Sequence, residues 1–85
     1  MNLGQIIENV KVIGILNEKE TLITSICIDS RKVSEGSLFI AIRGIDNDGH
    51  KYISKAIGSG ACAVVYDDSE YDVELSASNV TAIKV

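Results

Sequence analysis

Residues 37–42 read Ser-Leu-Phe-Ile-Ala-Ile and residues 61–66 read Ala-Cys-Ala-Val-Val-Tyr, two unbroken apolar runs of strand length. Strands that are covered on both faces show such continuous apolar character, so both runs are predicted to lie inside a sheet. Between them, residues 50–59 carry apolar side chains at helical spacing, and Gly60 follows as a candidate helix cap. This succession predicts a strand–helix–strand unit with parallel strands.

Shorter patterns on either side complete the predicted fold. They indicate a helix over 3–10 capped by Asn2, strands at 12–16 (broken by Gly14), 23–28 and 80–85, and an acidic, solvated connection with a short turn or helix over 67–79. The predicted fold class is α/β, with three α/β/α layers around a small mixed, partly parallel sheet. Because a domain seldom stops inside a strand, we expect residues 1–85 to form one domain at the front of a longer protein.

The composition restricts the classes of partner and location. Hydrophobic residues make up 46% of the 85 residues and charged residues 24%, a balance typical of globular domains. The net charge of −4, without a Lys/Arg cluster, argues against nucleic acid or an acidic membrane as partner. No apolar run approaches the roughly 20 residues of a membrane-spanning helix, and the first residues do not resemble a signal peptide. We therefore expect a small-molecule partner and a cytoplasmic location.

Side chains that often perform chemistry are few and isolated. Cys27 and Cys62 each lie in an apolar stretch without C-x-x-C spacing, so both are predicted to be buried thiols. The single histidine, His50, is interpreted as a capping or loop-packing residue rather than a catalyst. The sequence contains neither a G-x-x-x-x-G-K-[ST] loop nor a G-x-G-x-x-G after a strand. We therefore assign no catalytic residue and no metal site to these 85 residues.

Two segments at predicted strand ends are candidates for a binding site. In open α/β sheets, ligands bind beyond the carboxyl ends of the parallel strands. The loop 44–49 has glycines that allow close approach of the backbone, and the segment Asp29-Ser30-Arg31 offers a hydroxyl and a guanidinium. Both segments also fit a structural interpretation, in which the first is a tight turn and the second an Asx turn with a local salt bridge. Spacing alone leaves these alternatives open.

Several of these segments together resemble one known family. The residues concerned are DSRKV at 29–33, GSLFIAIRG at 36–44, DGH at 48–50, Ala56 and GACAVV at 60–65. Over about residues 25–66, their order and spacing resemble the N-terminal domain of the Mur ligases, of the UDP-N-acetylmuramoyl-tripeptide synthetase (MurE) type. The ligase that adds D-alanyl-D-alanine (MurF) has a similar signature and remains the alternative.

The resemblance implies a role in peptidoglycan synthesis. It implies that this domain binds the uridine diphosphate end of UDP-MurNAc-L-Ala-D-Glu and packs against a central domain of its own chain. That central domain would bind ATP and Mg²⁺, and a C-terminal domain would bind the incoming amino acid. The complete enzyme would activate the D-glutamate carboxylate as an acyl phosphate and join it to meso-diaminopimelate or L-lysine. The 85 residues themselves would bind neither cofactor.

The resemblance also implies which residues contact the substrate. The family's uridine contacts correspond to Ile28, Ser30, Ile45, Asp46 and Asn47 in this sequence. An acidic Asp46 would repel a diphosphate, so we expect it to lie near ribose hydroxyls or uracil. The residues that flank Ser30 are expected to fix the shape of the turn, and the segment 48–50 is expected to begin the helix.

Two other interpretations remain at the level of sequence. A Mur-like domain could serve only as a structural lid or for protein contacts, since one fold hosts unrelated functions. A different enzyme could also carry a related N-terminal fold. A substrate site requires Ser30 and residues 45–47 to face one cleft, whereas a structural domain predicts a filled or flat edge there.

Overall fold

The computed structural model describes residues 2–19, 21–41 and 48–85. The helices are α1 (Leu3–Ile6), α2 (Ile53–Gly58) and α3 (Asp72–Ser76). The strands are β1 (Gly14–Leu16), β2 (Ser25–Cys27), β3 (Ser37–Ile40), β4 (Ala63–Tyr66) and β5 (Thr81–Lys84). Three 3₁₀ turns span Ser30–Lys32, Gly49–Tyr52 and Ser69–Tyr71.

The five strands form one mixed sheet in the order β1-β5-β4-β3-β2. Strands β2 to β5 are mutually parallel, and β1 pairs antiparallel with β5 at one edge. The pairing of β3 with β4 across α2 confirms the predicted unit with parallel strands. The apolar run that begins at Ser37 forms an interior strand, as predicted, and the central strand beside it is β4.

Apolar residues cover both faces of the sheet and confirm the three layers. On one face, Phe39 and Val64 belong to a buried cluster with Ile53 and Ala56 of α2 and Leu75 of α3. On the other face, a second cluster joins Leu3 of α1 to the strand residues Leu38, Ala63 and Ile83. Since burying a leucine, isoleucine or phenylalanine contributes about 1.5–3 kcal/mol, these clusters stabilise the arrangement of the strands.

The two residues predicted to end helices are in the expected places, Asn2 before α1 and Gly60 after α2. The Asn2 side chain accepts a hydrogen bond from the Gly4 amide at 2.8 Å, as an N-cap does. Helix α1 is shorter than predicted, since the residue after Ile6 already serves as its C-cap. Gly60 follows α2 with φ +112°, and a Cβ there would lie 2.7 Å from the Glu35 Cα. Glycine at this position therefore satisfies both the backbone conformation and the close packing.

Some sequence-based expectations were wrong. Cys27 and Cys62 are free thiols but only partly buried, because the first lies on edge strand β2 and the second just before β4 begins. Gly14 does not break its strand but begins it. The acidic connection contains the predicted short helix, yet Leu75 within it is fully buried in the core. No helix in the described part of the chain is long and apolar enough to cross a membrane.

Asn17 is a structural residue that the sequence did not reveal. Its backbone is in the left-handed region, with φ 53°. Its side-chain amide donates to the carbonyl oxygens of Leu75, Ser78 and Val80 at 3.0–3.1 Å. The hydroxyl of Thr81 donates to the Asn17 carbonyl oxygen at 3.1 Å. Asn17 therefore connects the end of β1 to the segment between α3 and β5.

Candidate functional site

The carboxyl ends of β2 to β5 lie at one edge of the sheet because these four strands are parallel. Ile28 and Ser30 follow β2, Ala41 follows β3, and Asp67 follows β4 directly. The Ala41 amide donates to the Val65 carbonyl oxygen at 2.9 Å, which extends the pairing of β3 with β4 by one residue. The strands β2 and β3, which precede the two predicted segments, therefore end at the same edge of the sheet.

The turn after β2 is held by Asp29. Its Oδ1 accepts the Arg31 amide at 2.9 Å and caps the 3₁₀ turn. The Arg31 guanidinium also donates to both carboxylate oxygens, at 3.0 Å and 2.9 Å. These hydrogen bonds from Arg31 lower the pKa of Asp29 from 3.8 to about 2. The structural interpretation of these two residues, an Asx turn with a local salt bridge, is confirmed.

Ser30 lies between these two residues with its hydroxyl unengaged. The residue is only 7% exposed, yet its hydroxyl forms no hydrogen bond with any residue that the structure describes. No fully buried side-chain polar atom in the described ranges lacks a partner, so this hydroxyl must reach solvent. A rigid turn thus presents one free hydroxyl at the edge where ligands of open α/β sheets bind.

Ile28 precedes this turn and is 63% exposed, unusually open for a large apolar side chain. Ile28 and Ser30 therefore lie at the same turn, as the sequence predicted. The other three predicted contacts, Ile45, Asp46 and Asn47, lie outside the described residues. Whether they face the same cleft as Ser30 stays a prediction.

The segment 42–47 is followed by a second aspartate-capped turn. Asp48 Oδ1 accepts the His50 amide at 3.0 Å and lies 2.6 Å from His50 Nδ1. The other ring nitrogen, Nε2, accepts the Asp67 amide at 3.1 Å and lies 3.2 Å from the Asp67 carboxylate. The His50 side chain is fully buried, and its ring packs against Tyr71 at a centroid distance of 5.4 Å. The interpretation of His50 as a loop-packing residue is confirmed.

A further polar cluster lies where β4 and β5 end. The Tyr66 hydroxyl donates to Asp72 Oδ1 at 2.7 Å, and Lys84 Nζ donates to Asp72 Oδ2 at 3.0 Å. Burial, reinforced by the Asp72 carboxylate, raises the pKa of Tyr66. The same hydroxyl and then Lys84 lower the pKa of Asp72. Each group already has a partner, so this cluster stabilises the strand ends.

The described residues do not fit ATP or Mg²⁺. Among them, no group of three or more His, Cys, Asp or Glu side chains could hold a metal ion. The acidic residues Asp29 and Asp72 are engaged with Arg31 and Lys84. The sequence also lacks a phosphate-binding G-x-x-x-x-G-K-[ST] loop. What the edge offers instead is a hydroxyl, an exposed apolar side chain and rigid turns, which suit a neutral polar group such as a sugar or base.

Comparison with known proteins places this geometry in a family. Residues 22–85 match the family described as Mur ligase family, catalytic domain. The whole chain is 40% identical to a UDP-N-acetylmuramoyl-L-alanyl-D-glutamate–2,6-diaminopimelate ligase of Cytophaga hutchinsonii and spans 17% of its length. It is 39% identical to the ligase of the same name from Clostridioides difficile, of which it spans 16%. The chain therefore corresponds to a small part of these relatives.

Solved structures agree with this placement. A MurF ligase from Thermotoga maritima, in complex with ADP, superposes on 53% of this chain and 10% of its own, with TM-score 0.51 and 33% identity. MurF from Acinetobacter baumannii covers 80% of this chain and 13% of its own, with TM-score 0.58. At 20% identity, the latter likeness supports the fold alone. From the family match and the identity over its whole length, this chain belongs to the Mur ligase family.

Proposed function

We propose that this chain is the substrate-binding module of an ATP-dependent ligase of peptidoglycan synthesis. In this proposal it binds the uridine diphosphate end of UDP-MurNAc-L-Ala-D-Glu, to which the complete enzyme adds meso-diaminopimelate or L-lysine. The proposal is supported by relatives that are named as diaminopimelate ligases and are 39–40% identical over the whole chain. The module itself performs no chemical step.

One observation carries the location of the site. Ser30 is only 7% exposed, and its hydroxyl forms no hydrogen bond with any other described residue. A hydroxyl held rigidly but unpaired can donate to a ligand without first breaking an internal bond. Ile28 beside it offers an exposed apolar surface for a base or sugar ring. In the proposal, residues 45–47 complete the uridine contacts.

Catalysis belongs to other parts of the complete protein. ATP and Mg²⁺ are proposed to bind a central domain against which this module packs, because its described residues do not fit either group. The ADP complex of a related ligase is consistent with a nucleotide site elsewhere in such proteins. In this proposal, the location of the complete protein is the cytoplasm.

The site is tested by titrating the ¹⁵N-labelled chain with UDP-MurNAc-L-Ala-D-Glu and, separately, with UDP. Saturable shifts of the Ile28 and Ser30 amides in both titrations are expected if the uridylyl end binds at this edge. The amides of Gly36 and Gly60 serve as an internal control, because they lie at the opposite edge and should not shift. Saturable shifts at that opposite edge, or none at millimolar ligand with a folded chain, would reject the proposal.

The second candidate is the ligase that adds D-alanyl-D-alanine. It is favoured by one observation, the superposition on the Thermotoga maritima MurF at 33% identity. Both enzymes use a uridylyl substrate, so the titration with UDP alone does not separate them. Turnover by the complete protein does. The leading proposal expects ligation of diaminopimelate or lysine to the dipeptide substrate, and the second expects ligation of D-alanyl-D-alanine to the tripeptide.

A further inference from the structure

We propose that one apolar surface of this chain is where the central domain of the complete ligase docks. The surface lies on the face of the sheet that α1 covers, towards the carboxyl ends of the strands. It consists of one aliphatic side chain each from β2, β3 and β4 and one directly after β5, namely Ile26, Ile40, Val65 and Val85. We refer to these four side chains as the α1-side patch. The inference rests on the proposed function, which requires a central domain but leaves open which surface of this module it contacts.

The sheet register places the four side chains on one face. Three register pairs define it: Ile26 with Leu38, Ile40 with Val65, and Val65 with Ile83. Paired residues of neighbouring strands share a face, and so do side chains two residues apart on one strand. Val85, two residues after Ile83, therefore lies on the same face. Leu38 and Ile83 belong to the buried cluster that contains Leu3, so this is the face that α1 covers.

The two faces of the sheet are covered to different extents. Along β4, Val64 and Tyr66 face α2 and α3 and are 0% and 1% exposed, whereas Val65 between them stays partly exposed. On the α1 face, Ala63 at the start of β4 is fully buried, so the cover ends within the length of the strand. At the edge of the sheet, Ile26 is 45% exposed. Because α1 has only four residues, it leaves the carboxyl half of this face open to solvent.

The composition of the α1-side patch favours a permanent contact. All four members are aliphatic, and a contiguous apolar surface on a folded domain marks an interaction site. Permanent interfaces are more hydrophobic than transient ones. The chain spans 17% and 16% of the two diaminopimelate ligases that it matches over its whole length, so the proposed enzyme contains further domains. A domain of the same polypeptide is a permanent partner of this kind.

The position of the patch beside the candidate site indicates which domain this is. Ile28 follows Cys27, which pairs with Phe39, so Ile28 lies level with Ile40 of the patch. In the proposed function, the uridylyl end of the substrate binds at Ile28 and Ser30, while its peptide end reacts in the central domain. One substrate molecule must reach both domains, so the central domain has to lie against this edge of the sheet. The substrate site then lies at a domain boundary, where ligand sites are common.

Hydroxyl-radical footprinting with mass spectrometry measures the exposure of individual aliphatic side chains. We expect Ile40 and Val65 to be labelled in the 85-residue chain and to lose most of this labelling in the complete ligase, because the central domain covers them. Val73 is the internal control. It is 81% exposed on α3, which packs on the other face of the sheet, so its labelling should be equal in both proteins. Equal labelling of Ile40 and Val65 in the two proteins would overturn the inference.

Two matched charge variants of the complete ligase test the contact itself. Ile26→Glu places a carboxylate in the patch at a position open to solvent in this module, so the 85-residue chain should stay folded, which circular dichroism checks. In the complete ligase it should restore the labelling of Ile40 and Val65, because burying an unpaired charge is unfavourable. Val73→Glu introduces the same charge at the control position and should leave the protection in place. Protection that survives Ile26→Glu would contradict docking at this patch.

The remaining outcomes separate the inference from other occupants and from the proposed function. A second copy of the chain would protect Ile40 and Val65 in the 85-residue chain itself, increasingly at higher protein concentration, and this result would also overturn the inference. Footprinting needs no ligand, so its result does not depend on substrate binding. Failure of the UDP titration, with Ile40 and Val65 protected in the complete protein, would reject the proposed function and still support the contact between the domains.

Discussion

The turn after β2 and the turn before α2 have the same local structure, but the side chain of the third residue contacts different partners in the two turns. Each begins with an aspartate whose carboxylate caps a 3₁₀ turn by accepting the amide two residues later. In the first turn, the Arg31 side chain is 80% exposed and forms an ion pair with Asp29, the residue that caps the same turn. In the second, His50 is fully buried and reaches from Asp48 to Asp67 on another element.

A third turn after β4 confirms that the shared part is local. Asp68 there accepts the Glu70 amide at 2.9 Å with nearly the same backbone angles. A local cap therefore forms from Asp followed by two further residues, whatever the third side chain is. The turns differ in their tertiary contacts. The buried His50 side chain has a hydrogen-bond partner at each ring nitrogen and so connects its turn to another element of the fold.

The largest loss of stability is expected when the buried His50 side chain is removed. His50→Ala removes both hydrogen bonds and leaves a cavity beside Tyr71, so the free energy of unfolding should fall by about 2–4 kcal/mol. For a domain of this size, that corresponds to a decrease in Tm of roughly 10 °C or more. Thermal denaturation followed by circular dichroism measures it. A decrease no greater than that of Arg31→Gln would show that burial does not distinguish the turns.

An intermediate effect is expected from Asp29→Ala, which removes a cap and an ion pair at the exposed turn. Because Arg31 lowers the pKa of Asp29 from 3.8 to about 2, the folded state favours the ionised carboxylate. This contribution to stability is fully present above about pH 5 and is lost as the pH falls from about 4 to 2. The difference in Tm between wild type and Asp29→Ala should therefore narrow over that range. A difference independent of pH would contradict the assigned ion pair.

The smallest effect is expected from Arg31→Gln. An ion pair between exposed side chains contributes little, since solvent screens it and holding the side chains costs entropy. The amide cap to Asp29 remains, so Tm should change by about 2 °C or less. Urea denaturation at low and high salt provides the check, and the difference from wild type should decrease further with salt. A large loss would mean that Arg31 has a role beyond its own turn.

The strands, the helices and the parallel strand–helix–strand unit could be predicted from sequence, because continuous apolar runs and helical spacing are local signals. The Asp29 turn could be predicted for the same reason. The order of the strands, the antiparallel position of β1 and the three carbonyl contacts of Asn17 could not, because they depend on pairings between residues far apart in the chain. His50 could be interpreted as a packing residue, but its partner Asp67 is 17 residues away and no pattern connects them.

The positions of two candidate site residues in the fold could be predicted. The position of Ile28 and Ser30 at the carboxyl edge follows from parallel strands, which the sequence indicated. The free hydroxyl of Ser30 could not be foreseen, since hydrogen-bond satisfaction depends on the packed neighbours. The contacts proposed for residues 45–47 stay a prediction.

The central claim, that this module binds the uridylyl substrate and takes no part in chemistry, is tested most directly by Ser30→Ala in the complete ligase. Loss of one hydrogen bond to the substrate should raise KM for UDP-MurNAc-L-Ala-D-Glu about tenfold, with kcat and KM for ATP unchanged. Ser59→Ala, exposed at the opposite edge, is the matched control and should leave all three values unchanged. An unchanged KM for the uridylyl substrate, or a fall in kcat alone, would contradict the account.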